Sequence, residues 1–343
     1  MRAIGYQAAA SLEDPLYLQD LELPDPCPSD LDLLVAIEAV GVNPVDGKVR
    51  AREHPERGGW RILGWDAVGR IEAVGPGVEG FRPGERVWYA GALQRQGCNA
   101  ELHCVDHRLV ARAPERLGPA EAAALPLTSI TAWELLFDRL RIPQDPQTSR
   151  GECLLVVGAA GGVGSMLLQL ARALTGLTLV GTASRPESRA WALRMGAHHV
   201  VDHHQPLRPQ LEALGIPAVQ WVASLTHTDR HFEALVDLLA PQGALALIDD
   251  PDPAAINVLA LKSKSLALHW ELMFTRSLYG TPDLAAQGRL LQRAADLVDR
   301  GVLVSTLQEH RGAITAAHLH QAHRRIASHG MVGKLVLEGF DPP

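Results

Sequence analysis

The chain has 343 residues, 47% hydrophobic and 21% charged, with a net charge of -7; this is ordinary globular composition and enough length for two domains. The charge leaves no basic footprint for nucleic acid or an anionic membrane surface. No apolar run approaches the roughly 18 residues needed to cross a bilayer, and residues 1–15 lack the layout of a signal peptide, so a cytoplasmic protein is expected. The four cysteines, Cys27, Cys98, Cys104 and Cys153, have no C-x-x-C spacing and suggest neither a disulfide framework nor a structural zinc site.

Residues 1 to about 125 read as short strands and turns. Residues 31–42 and 68–74 are apolar or alternating, and Pro83-Gly84 makes a turn before a strand over 87–90. Between about 120 and 140 the spacing becomes helical, with Pro126 near a boundary and Ile130, Ala132, Trp133, Leu135, Leu136 and Leu140 forming an apolar face. The segment 143–150 is a surface connection. From Leu154 the pattern alternates strand and helix: strands over 177–182, 199–202, 219–224 and 244–248, with helices over 187–195 and 231–239 between them. Such repetition predicts a doubly wound parallel sheet. The remainder is mixed, with a strand over 265–271, helices over 284–300 and 315–328, and a final strand over 334–337.

The alternating region opens on L-L-V-V-G-A-A-G-G-V-G, Leu154 to Gly164. A buried strand, a glycine turn and a helix start form a dinucleotide grip, in which bare backbone N–H groups and the helix dipole meet a pyrophosphate. Ala159 stands at the first position of G-x-G-x-x-G, while Gly161 and Gly164 hold the second and third. About 20 residues further, where an NAD site places Asp or Glu against the ribose, stand Ser184 and Arg185. A guanidinium there pairs with a 2′-phosphate and predicts NADP(H); the competing reading is a solvated loop arginine.

The runs Gly41-Val42-Asn43-Pro44-Val45-Asp46, Gly64-Trp65-Asp66-Ala67-Val68-Gly69, Gly84-Glu85-Arg86-Val87, Thr128-Ser129-Ile130-Thr131-Ala132-Trp133 and Ala159-Ala160-Gly161-Gly162-Val163-Gly164 resemble the medium-chain dehydrogenase/reductase superfamily along essentially the whole chain. Within the superfamily it looks like the NADPH:quinone oxidoreductase branch, often labelled zinc-type or zinc-binding alcohol dehydrogenase. The resemblance implies an α/β protein: a Rossmann doubly wound parallel sheet plus a mainly-β GroES-like catalytic domain. The expected division is 1–125 for the first part of the catalytic domain, 126–265 for the NADP(H)-binding domain and 266–343 for the return.

Zinc alcohol dehydrogenases carry Cys where this sequence has Asn43, and His-Glu where it has Trp65-Asp66. Asparagine is a poor zinc ligand and an indole offers only a donor. The structural lobe of four cysteines is also absent, with Cys98 and Cys104 its only neighbours. The expectation is no metal, and hydride transfer from NADPH to a quinone or an α,β-unsaturated carbonyl. The alternatives are a residual alcohol dehydrogenase and an NADPH-binding sensor with little turnover.

By the same resemblance, Asn43, Lys48, Trp65 and Asp66 form the catalytic group, with Trp65 as a substrate-facing wall and Asn43 a hydrogen-bonding contact near the nicotinamide. Relatives carry Tyr at the position of Lys48, so its proton-donor role is open; for Asp46 and Asp66, domain bracing competes with direct catalysis. Cofactor contacts are implied at Thr131, Ala160, Gly161, Gly162, Val163, Ser184, Arg185, Ser224, Ile248 and Phe274. His203, where quinone reductases carry Tyr against the 2′-phosphate, and Lys334 are implied phosphate contacts, each with a plain surface role as its alternative. A homodimer formed through the Rossmann sheet edge is also implied. His318, His320 and His323 do not present a consistent helical zinc pair and read as a solvated face, and no G-x-S-x-G elbow is present.

Overall fold

The computed structural model describes residues 1–56 and 58–340. It divides into two compact units, Thr131–Met273 and a discontinuous one made of Met1–Ile130 with Phe274–Pro343. The boundaries thus fall at 130/131 and 273/274, later in sequence than 125/126 and 265/266. One reason is that the first turn of the helix Pro126–Trp133 is tied to the first unit, where Leu127 N–H donates to Asp66. The other is that the strand Ala267–Trp270, expected in the returning segment, pairs in parallel with Leu239–Leu247 and so extends the Rossmann sheet.

In the Thr131–Met273 unit six strands pair in parallel in the order His199–Val201, Thr178–Thr182, Cys153–Val157, Val219–Ser224, Leu239–Leu247, Ala267–Trp270. Cys153–Val157 is buried along its whole length, which is why it reads as a continuous apolar run. Leu155, Val157, Val180, Val222, Phe232, Leu235, Leu245 and Leu247 belong to one core cluster. The helix after Val219–Ser224 starts at Thr228, three residues earlier than the apolar spacing suggests, because Asp249 accepts from both the Thr228 backbone N–H and its hydroxyl. The Pro241-Gln242-Gly243 punctuation lies inside the strand Leu239–Leu247, where the register to its neighbour shifts and Gln242 takes a φ of 66°.

In the larger unit a seven-stranded sheet runs Leu307–His310, Lys334–Glu338, Asp32–Val42, Ala67–Val74, Arg86–Tyr89, Ala111–Arg112, with Leu102–Asp106 also paired to Asp32–Val42. A three-stranded sheet joins Gln19–Glu22, Arg2–Tyr6 and Arg61–Ile62. The helical stretch from 120 to 140 is broken into Pro119–Ala123, Pro126–Trp133 and a π turn Glu134–Arg139. Proline cannot donate the helical bond at position 126. The strands Arg2–Tyr6, Gln19–Glu22 and Ala111–Arg112 are too short or too charged to show a period of two. Among the described residues no helix is long and apolar enough to cross a membrane.

The glycines of the grip divide their work. A Cβ on Gly164 would lie 2.5 Å from Gly158 O and 2.7 Å from Ala159 O, so helix-to-strand packing forbids it. A Cβ on Gly161 would meet nothing nearer than Gly158 O at 3.5 Å. Packing demands glycine at 164 and leaves 161 open on the protein side. Gly164→Ala is therefore expected to lower the melting temperature by several degrees and Gly161→Ala to leave it nearly unchanged, as read by thermal denaturation of the two variants.

Candidate functional site

Strand register brings together Asn43, Asp66 and Lys334 in the larger unit. Leu335 pairs with Val42 in antiparallel register, which sets Lys334 opposite Asn43. Val40 pairs with Ala67, and Gly41 N–H donates to Asp66 O at 3.0 Å, which brings Asp66 alongside. Gly41 makes this approach possible, since a Cβ there would lie 2.4 Å from Ala123 O and 3.0 Å from the Asp66 Cβ. Asn43 then caps the helix Pro44–Arg52, with Pro44 in its first turn and Asp46 at the third position accepting from the Asn43 backbone N–H at 2.5 Å.

The side chains close on one another. Asn43 Nδ2 donates to Asp66 Oδ2 at 2.8 Å, and Asp66 Oδ1 accepts from Leu127 N–H at 2.6 Å. The Lys334 ammonium donates to Asp66 Oδ2 at 2.9 Å, to Asn43 Oδ1 at 2.5 Å and to Val42 O at 2.9 Å. An ammonium has three donors, so Lys334 has none left for a phosphate and is a buried residue, not a surface one. Burial pushes the Asp66 carboxyl above the usual range, and the Lys334 charge opposes that shift. Burial likewise pushes Asp46 up to about 7, against its hydrogen bond from Asn43 and the charge of Lys334. Trp65 is 1% exposed, its indole N–H facing Ala92 O at 3.3 Å and its ring edge-to-face with Phe274 at 6.1 Å. Trp65 is thus a packed core ring rather than an open wall. Lys48 is exposed on the helix Pro44–Arg52.

The residues expected to contact the dinucleotide lie in the other unit, apart from Phe274 and Lys334. Gly161 is the N-cap of the thirteen-residue helix Gly162–Leu174, which has no side-chain cap, and Ala160 precedes it as a nearly buried residue. Gly158 N–H is held by Thr182 Oγ1 at 3.2 Å, a brace the sequence reading did not single out. Arg185 is exposed at the start of the helix Pro186–Arg194, beside the half-buried Ser184. The Arg189 guanidinium shapes this corner by donating to Ala183 O and Val200 O. His203 is half-buried, edge-to-face with His204 and His231, and burial first, then His204, lowers its basicity. The Ser224 hydroxyl is 2.7 Å from that of Thr228, Ile248 follows the strand Leu239–Leu247, and Thr131 is buried. His227 precedes Thr228 with a φ of 51° and makes no side-chain cap.

Two members of this buried network were only partly visible in the sequence. Asp46 carried a signal, the N-P-x-D spacing of a helix start; the Lys334 contacts depend on a strand pairing across almost the whole chain. A raised carboxyl binds more protons in the native than in the unfolded state between its two pKa values, so its contribution to stability is full below about pH 4 and is lost as pH rises through 7. Relative to Asp46→Asn, the wild type is expected to lose stability from pH 4 to 7 by up to about 1.4 kcal/mol per pH unit, measured by denaturant titration across that range.

Residues 29–115 match the alcohol dehydrogenase GroES-like domain, and residues 195–337 match the zinc-binding dehydrogenase family. A zinc-type alcohol dehydrogenase-like protein of Staphylococcus aureus is 36% identical over 98% of this chain and 99% of its own. A quinone oxidoreductase of Pseudomonas aeruginosa is 31% identical over 90% of this chain and 92% of its own. Among solved structures, one from Rhizobium etli described as a zinc-dependent alcohol dehydrogenase has a TM-score of 0.96 at 50% identity, covering 100% of this chain and 99% of that one. A mycobacterial protein complexed with NADPH has a TM-score of 0.81 at 26% identity, covering 98% and 99%. With a GroES-like unit and a parallel nucleotide-binding sheet, the chain is a medium-chain dehydrogenase/reductase, a member of that oxidoreductase superfamily.

Proposed function

We propose that this protein is a cytoplasmic NADPH-dependent reductase that passes hydride to a quinone or an α,β-unsaturated carbonyl without catalytic zinc. The observation that carries the reading is the Lys334 ammonium on Asp66 and Asn43, which supplies the positive charge where a metal would have to sit. The donor set does not fit zinc: an amide oxygen, a backbone carbonyl and one carboxylate oxygen surround the ammonium, with no thiolate or imidazole. Among the described residues no group of three or more His, Cys, Asp or Glu is arranged to hold a metal ion. The quinone oxidoreductase relative supports the same acceptor class.

The nucleotide unit fits NADPH. The N–H groups at Gly162 and Val163, which no side chain caps, with Ala160 and Gly161 beside them and Gly161 lacking a Cβ, bind the pyrophosphate. Ser184, Arg185 and His203 take the adenosine 2′-phosphate; Thr131, Ser224, Ile248 and Phe274 are assigned to the nicotinamide side. Bound NADPH supplies the hydride, and with one proton it turns a quinone into a hydroquinone or an enone into a saturated carbonyl. Asn43, held in one orientation by Asp66, is assigned as the hydrogen-bonding group of a catalytic set that also takes in Lys48, Trp65 and Asp66. A homodimer through the strand Ala267–Trp270 is supported by its place at the end of the sheet and by Trp270, 53% exposed.

A charge-assisted contact to the 2′-phosphate is worth about 1.5–3 kcal/mol. Arg185→Glu is therefore expected to lower the NADPH/NADH ratio of kcat/KM by at least about tenfold, and an unchanged ratio contradicts the assignment. Purified without added metal, the protein should hold far less than one zinc per chain while oxidising NADPH with a panel of quinones and enones. Stoichiometric zinc with alcohol oxidation would point instead to a dehydrogenase, and tight NADPH binding without turnover to a sensor.

A further inference from the structure

Three oxygens, two from the adjacent residues Val42 and Asn43 and one from Asp66, converge on one nitrogen. Val42 O, Asn43 Oδ1 and Asp66 Oδ2 lie 2.9, 2.5 and 2.9 Å from the Lys334 ammonium. Lys334 is 4% exposed and Asp66 fully buried. A carboxylate this far from water needs a compensating charge and complete hydrogen bonding, and it has both. An ionised carboxylate only accepts and an ammonium only donates, so the Asn43 amide between them has a single orientation. The cage offers hard oxygens, one of them charged, which suit an ammonium-type monovalent cation and lack the soft donors that select zinc.

We infer that Lys334 is a tethered cation filling an oxygen cage specific for an ammonium group, and that through this cage it is the positioning residue for Asn43. The positioning role rests on the reductase reading above; the chemistry of the cage does not. The side chain passes along the strand end and delivers a charge that stays with the chain. A loss of the tether should therefore be repaired by a free cation of the same shape.

The test is Lys334→Ala, which removes the equivalent of a propylammonium ion. The variant is expected to melt several degrees below the wild type and to lose about tenfold or more in quinone-reductase kcat, with the KM for NADPH moving less than about twofold. Propylammonium chloride should recover at least half of both losses, whereas 1-propanol and zinc chloride should recover neither. Equal recovery with propanol would reduce Lys334 to a space-filling role, recovery with zinc would overturn the selectivity, and an unchanged Lys334→Ala would overturn the inference whole. If the alanine variant is recovered folded only with propylammonium in the refolding buffer, the cage stands. If it folds under neither condition, Lys334→Arg and Lys334→Met decide, since a retained charge should preserve melting and kcat better than a neutral chain of similar length, and Met equal to Arg overturns it. Should the wild type reduce no quinone or enone, the proposed function and the positioning role fail, while the melting readout still decides the cage.

Discussion

The buried pair of Lys334 with Asp66 is the constraint around which the larger unit is arranged. Removing one partner of such a pair typically costs about 3–5 kcal/mol, because the other is left charged and unpaired away from water. Here the carboxylate also receives the Asn43 amide and the Leu127 backbone N–H. One side chain thereby fixes the end of the strand Asp32–Val42, the start of the helix Pro44–Arg52 and the first turn of the helix Pro126–Trp133. Asn43 and Asp66, implied as catalytic by the family pattern, are thus first of all members of a bracing network.

The nucleotide unit depends on a different economy. Its central strand Cys153–Val157 is buried along its whole length, so the alternation of strand and helix around it can be read from apolar runs and glycine punctuation. Ala159, which departs from the glycine fingerprint, is accommodated because Gly181 on the neighbouring strand has no side chain; a Cβ there would lie 2.7 Å from that of Ala159. The fingerprint position and a glycine more than twenty residues away exchange bulk across the same gap. A motif counted only along the chain registers the first change as a defect and cannot see the second.

That contrast explains what was legible in the sequence. The alternating strands and helices from Leu154 onward and the corner at Ser184 and Arg185 were visible because local spacing defines them, whereas the helix Pro44–Arg52 lies in a stretch that reads as strands and turns. The strand Arg2–Tyr6, in the middle of the three-stranded sheet, and Gln19–Glu22 at its edge were not visible, since their pairing and not their composition makes them strands. Trp65 and Lys334 illustrate the same limit at the site. An indole and a lysine near family motifs look like ligand-facing groups until register shows the ring packed on Phe274 and the ammonium directed inward. Likewise Ala267–Trp270 reads as a strand in sequence, yet only its parallel partner assigns it to the nucleotide unit.

The discontinuity of the larger unit has a consequence for the order in which the molecule is made. The strand Lys334–Glu338 sits between Leu307–His310 and Asp32–Val42, inside the seven-stranded sheet and not at its margin. During synthesis the Thr131–Met273 segment has all its strands available long before this last strand leaves the ribosome. The nucleotide unit can thus be complete while the sheet that the chain began first still lacks an interior member. Over that interval Asp66 has no lysine to meet, and the exposed flank of Asp32–Val42 is the surface that a chaperone would have to shield.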